Sequence, residues 1–188
     1  MQHSTKNKII LLGLALIIIV VGWKLASNDK ANVQNMETTN NNNKLQVVTS
    51  FYPLYFFTSE IAGDKAVVYN ITPAGAEPHE YELTPQDIVR IENSQLLILN
   101  GGQLEPWGEK VQAALQKKNI KILTAGQGIA DQIMIEDGET IPDPHVWLSP
   151  PLAKMEVENI ANGLISADPA NASYYKNNKE ILFAKLSD

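Results

Sequence analysis

Three histidines occur in this 188-residue chain, and two of them sit in near-identical pentapeptides. One is Glu77-Pro78-His79-Glu80-Tyr81 and the other Asp143-Pro144-His145-Val146-Trp147. Both read acid, proline, histidine, any residue, aromatic. A neutral imidazole offers a ring-nitrogen lone pair to a metal ion. The preceding proline fixes the backbone and lowers the entropy lost when the ring is held. The aromatic gives each loop an apolar wall. Two imidazoles converging at one edge of a sheet make half of a tetrahedral site for zinc or manganese. Glu77, Glu80 and Asp143 are candidates either as further ligands or as hydrogen-bond partners of the ligands. A single loop histidine is ordinarily a partly solvated polar residue, and the repeated context is what sets His79 and His145 apart. His3 reads as a solvated tail residue.

Other chemistries find little footing. Cysteine is absent, which excludes disulfides, thiolate metal sites, cysteine nucleophiles and a lipid-modified N-terminal cysteine. No Gly-x-Ser-x-Gly elbow, H-E-x-x-H helix or Gly-x-x-x-x-Gly-Lys phosphate loop occurs. Gly101-Gly102 lacks the third glycine of a dinucleotide loop and reads as a turn. The acidic residues of 131–139 do not have the spacing of a hand-type calcium loop. The net charge of -6 argues against nucleic acid, whose phosphates need a basic face. Phe51, Tyr52, Tyr55, Phe56 and Phe57 read mainly as core, with Phe51 or Tyr52 placed to line a cleft.

The histidine loops need a scaffold, and the composition divides the chain. Residues 1–26 carry Lys6 and Lys8 before an uncharged apolar run from Ile9 to Trp23, the pattern of an export signal or N-terminal anchor. That run is 15 residues long, short of the roughly 20 of a full span, and Lys24 can snorkel to lengthen it. Cleavage after Ala26 would put Lys24 where a small residue is wanted, which favours an uncleaved membrane anchor. The positive-inside rule then places the remainder outside the cytoplasm, in the periplasm or at the cell surface. Residues 27–44, of which seven are Asn, read as a flexible tether. From Leu45 onward ten basic residues face nineteen acidic ones, so this part carries about -9 and modestly concentrates cations near its surface.

Strands and helices alternate through 45–188. The pattern predicts strands at Leu45–Thr49, Ala66–Ile71, Gln95–Leu99 and Asn119–Leu123. It predicts helices at Tyr52–Ala62, from the Thr84 cap to about Asn93, and over Glu105–Lys118. A long loop fills 124–144. A helix follows over Pro150–Ala167, is broken at Asp168-Pro169, and is succeeded by another over Pro169–Leu186. Such alternation implies an α/β lobe, a parallel sheet with helices on both faces. In such sheets ligands gather at the carboxyl ends of the strands.

The stretch VVTSFYPLYFFTSEIAGDKAVVYNITPAGAEPHEYELTPQDI, then NGGQLEPW, then DPHVWLSP closely resembles the N-terminal lobe of the zinc and manganese receptors of ABC importers. The resemblance runs through essentially all of 45–188, with several separated motifs in the family's order. It implies two α/β lobes joined by a long rigid helix, with the metal held between them. It also implies that His79 and His145 are the first two ligands, and that a His and an acidic residue of a C-terminal lobe supply the others. On this reading 45–168 is the metal-binding lobe, 169–188 begins the linking helix, and the C-terminal lobe is absent. Ser149 departs from the family's usual Asp. The lipid-attachment cysteine and the histidine-rich loop of some zinc receptors are missing. Glu105-Pro106-Trp107 resembles the zinc branch more than the manganese branch.

The resulting expectation is a monomeric, membrane-anchored, non-catalytic receptor that hands Zn²⁺, or alternatively Mn²⁺, to an ABC importer permease. Binding should weaken below about pH 6, because imidazolium cannot coordinate. The competing readings are a metal-dependent enzyme on the same scaffold, a metal-dependent adhesin or surface interaction module, and a truncated receptor fragment with no function of its own.

Overall fold

The computed structural model describes residues 44–129, 133–136 and 139–187. The anchor segment 1–26, nearly all of the tether 27–44 and the acidic side chains of 131–139 lie outside the described residues. Among the described residues no helix is long and apolar enough to cross a membrane.

Four strands form one parallel sheet: β1 (Leu45–Thr49), β2 (Ala66–Asn70), β3 (Leu96–Leu99) and β4 (Lys121–Thr124), in the order β2-β1-β3-β4. Val47 pairs with Val68 on one side and Leu96 on the other, and Leu96 pairs with Lys121. Alternate residues along a strand face opposite sides, and the buried residues divide accordingly. Leu45, Val47, Leu96 and Ile98 face a core shared with helices α1 (Tyr52–Ala62), α4 (Pro150–Ala167) and α5 (Ala172–Lys185). Val48, Leu97 and Leu99 face a second core with Ile91 of α2 (Pro85–Glu92) and Leu115 of α3 (Gly108–Leu115). The expected α/β lobe, with helices on both faces of a parallel sheet, is therefore the observed fold. All four residues of β3 are buried, as a strand covered on both faces must be.

The local signals explain the helix limits. Pro53 sits in the first turn of α1, and Gly63, with φ 50°, ends it. Thr84 caps α2 in a reciprocal box with Asp87, with Pro85 at the first helical position. The Asp168-Pro169 break separates α4 from α5, with one 3-10 turn at Pro169–Asn171. The Tyr175 hydroxyl, fully buried, donates to Asp168 Oδ2 at 2.6 Å and closes that corner.

Two expectations need correction. The helix predicted over Glu105–Lys118 is only Gly108–Leu115, because Glu105 turns back to bond the backbone of Asn100 and Gly101. The loop predicted over 124–144 contains an antiparallel hairpin, β5 (Ile133–Glu136) with β6 (Glu139–Pro142). Its sequence signal is the Asp137-Gly138 dipeptide between β-prone residues. The limits of β1 are as predicted, and those of β2, β3 and β4 differ by one or two residues.

Candidate metal centre

The chain leaves β1 and β3 for opposite faces of the sheet, β1 toward α1 and β3 toward α3. The connections therefore part beyond the paired ends of β1 and β3, which makes this boundary the switch point outside which open α/β sheets bind ligands. Ser50 follows β1 and Asn100 follows β3, both buried. Glu105 bridges them. Its Oε1 accepts from the Ser50 hydroxyl at 2.5 Å and the Asn100 backbone N–H at 2.7 Å, and its Oε2 accepts from the Gly101 N–H at 3.0 Å. Burial pushes the Glu105 carboxyl above its ordinary range, and these bonds only partly offset it.

The two histidine loops meet at this edge. The His79 and His145 rings lie with centroids 5.5 Å apart. In each loop the acid ahead of the proline accepts from the histidine's own backbone N–H. Asp143 Oδ1 does so at 2.9 Å and Glu77 Oε1 at a longer 3.5 Å. Each motif is thus a self-capping turn, which gives the acid a local structural role. Asp143 goes further, because its Oδ1 also lies 2.7 Å from His145 Nδ1. The bonds from the His145 backbone and ring hold the Asp143 carboxyl below the usual carboxylate range. An ionised carboxylate only accepts, so Nδ1 carries the hydrogen and Nε2 keeps the lone pair.

The two aromatics of the motifs act differently. Trp147 lies 5.3 Å from the His145 ring and packs edge-on against Phe51 at 4.5 Å. Phe51 is buried behind that tryptophan, whereas Tyr52 is 64% exposed. Tyr81 instead donates its hydroxyl to Asp87 Oδ2 at 2.9 Å, tying the His79 loop to the capping box of α2. Burial pushes the Asp87 carboxyl up, but its bonds from Thr84 and Tyr81 prevail and hold it below the usual range. A shallow cleft beside His145 is lined by Asp143, Leu148, Ser149 and Leu152. Among the described residues no group of three or more His, Asp or Glu side chains is arranged to hold a metal ion.

Residues 47–188 match the family described as zinc-uptake complex component A, periplasmic (ZnuA). The chain belongs to the ZnuA family. That family is one of solute-binding receptors, not of enzymes. The chain is 36% identical over 159 residues to the high-affinity zinc uptake system protein ZnuA of Bacillus subtilis, covering 77% of this chain and 49% of that protein. It is 38% identical over 145 residues to the iron-binding protein YfeA of Yersinia pestis, covering 76% and 46%. Among solved structures, the metal-dependent lipoprotein YcdH of Bacillus subtilis superimposes with a TM-score of 0.70 at 39% identity, covering 77% of this chain and 53% of that one. The chain thus spans about half the length of these three proteins.

Sequence reasoning singled out both histidines but missed how they are held. Ser50 carries no motif signal, and Glu105 stood out only as part of Glu105-Pro106-Trp107. Glu156 of α4 carries no motif signal either. It is fully buried, and among the described residues neither of its carboxylate oxygens has a hydrogen-bond partner. Burial, with the charge of Glu105 adding to it, pushes the Glu156 carboxyl up to about 8.

Proposed function

We propose that this chain is the metal-binding lobe of an extracytoplasmic receptor that delivers zinc to an ABC importer permease, and that His79 and His145 supply the first two donor nitrogens. The observation carrying this reading is the separation of the two rings. Zinc bound about 2.0–2.1 Å from one nitrogen of each ring, at a tetrahedral angle, sets their centroids about 5 Å apart. The rings stand at 5.5 Å, so modest side-chain rotation suffices. The ion is cargo, and no catalysis is assigned to it.

Zinc is preferred to manganese on donor chemistry. Imidazole suits zinc, whereas manganese favours carboxylate and water oxygens. Asp143 Oδ1 is committed to the backbone N–H and the ring Nδ1 of His145, in support of the imidazole donor. The relatives' names carry both zinc and iron, so the donors must decide the metal. In the two-lobe arrangement the remaining donors, a His and an acidic residue, come from a second lobe. Residues 1–26 serve as the membrane anchor, 27–44 as the tether, 45–168 as the lobe, and 169–188 as the start of the linking helix. The receptor acts as a monomer.

The test is zinc titration of the chain against a chromophoric competitor, for the native sequence, His79→Ala and His145→Ala. Each substitution is expected to weaken binding at least tenfold. Equal affinity in all three would overturn the ligand assignment. Cell or matrix binding that survives both substitutions would point instead to an adhesive surface module.

A further inference from the structure

Asn100 stands at the carboxyl end of β3, only 2% exposed, and its polar groups tie three loops together. Its backbone N–H donates to Glu105 Oε1. Its carbonyl accepts from the Gly126 N–H at 3.0 Å. Its side-chain amide donates to the Gly101 carbonyl at 3.1 Å and to the Pro144 carbonyl at 2.9 Å. The last bond lands on the peptide that joins Pro144 to His145. On its other side Pro144 meets Gly102, where a Cβ would come within 3.2 Å of the proline ring. Gly102 has φ 63°, a conformation that side chains disfavour. Pro144 is therefore held between the glycine turn and the Asn100 amide, one residue ahead of the imidazole.

We propose that Asn100 is a positioning residue for His145: by holding the Pro144 carbonyl it orients the His145 peptide, and with it the ring that faces His79. The proposal rests on the reading of these two histidines as metal donors. Binding by few donors is sensitive to their preorganisation, since each ring left free to rotate must be ordered when the ion arrives. Asp143 fixes the imidazole from within its own loop, whereas Asn100 fixes the loop against the sheet. Glu105 acts one step further back, by fixing the Asn100 backbone.

The experiment uses the full chain and zinc alone. Asn100→Asp keeps the shape of the side chain but replaces the amide donor with an acceptor facing the Pro144 carbonyl. Asn100→Ser is too short to reach Pro144 and serves if the first variant fails to fold. Tyr175→Phe is the control, because it removes a buried hydrogen bond at the α4–α5 corner, remote from the histidine loops. Expected are a zinc affinity at least tenfold weaker in the folded Asn100 variant and an unchanged affinity in Tyr175→Phe. The side-chain ¹⁵N signals of His145 should shift in the metal-free Asn100 variant while those of His79 stay in place. Native affinity in a folded Asn100 variant, with His145→Ala impaired, overturns the positioning role alone. Native affinity in His145→Ala overturns the role together with the ligand reading beneath it. A loss in Tyr175→Phe equal to that in the Asn100 variant reduces Asn100 to general stability and also overturns the proposal.

Discussion

Asp143 receives two hydrogen bonds from one residue, the backbone N–H of His145 at 2.9 Å and its ring Nδ1 at 2.7 Å, both on the same carboxylate oxygen. The first bond shapes the turn. The second selects the tautomer and aims Nε2 away from the loop. Partners of this kind on metal-binding histidines contribute about 10–100-fold in affinity.

Asp143→Ala is therefore expected to weaken zinc binding by about 10–100-fold with little loss of fold. The side chain is only half-buried and lies at the lobe's edge. Asp143→Asn keeps an acceptor oxygen and loses the charge, so its effect should be the smaller of the two. Competition titration of both variants checks the order, and native affinity in Asp143→Ala would show that the second bond plays no part.

Glu156 makes stability depend on pH in a defined direction. Its carboxyl is raised from 4.5 to about 8 in the folded chain, so between those values the folded state holds a proton that the unfolded state has released. Stability is full in acid, falls as pH rises through that window, and levels off above about 8. Glu156→Gln keeps the shape without the titration. It is expected to stabilise the chain at pH 8 by roughly 2–4 kcal/mol and to flatten the dependence between pH 5 and 8. Urea melts of both forms across that range decide it, and parallel pH profiles would rule out Glu156 as the source.

Ser149 is the N-cap of α4, in an extended conformation suited to a cap, yet its side chain makes no capping bond. Pro150 and Pro151 have no N–H to offer, leaving that of Leu152 as the donor within reach. Ser149→Asp adds a stronger acceptor and a negative charge at the positive end of an 18-residue helix. A gain of about 0.5–1 kcal/mol is expected, read as a rise in Tm. No change would mean that the new carboxylate does not reach Leu152.

Much of the scaffold was legible because its signals are local. The limits of α1 and α4 follow from Pro53, Gly63, Pro150 and the Asp168-Pro169 break, each a residue that restricts its own backbone. The capping box of Thr84 and Asp87 spans a single turn. Where a distant partner decides the outcome, the local pattern is silent. Nothing near Glu105 says that its carboxylate will meet the hydroxyl of Ser50, 55 residues earlier, while it folds back onto Asn100 and Gly101 and α3 waits until Gly108.

The same division runs through the candidate site. The sequence by itself determined the two acid-Pro-His turns, since the capping bonds join residues two apart and need no other part of the chain. It also determined the alternation that makes a parallel sheet with two covered faces. Only the tertiary structure decided that the two turns meet, with rings 5.5 Å apart. That meeting depends on the strand order β2-β1-β3-β4, on the connections that leave β1 and β3 for opposite faces, and on the Asn100 bond that pins the second loop to the sheet. The physical reason is range. A turn is set by its own few dihedrals, whereas the contact between the histidines depends on the packing of both cores.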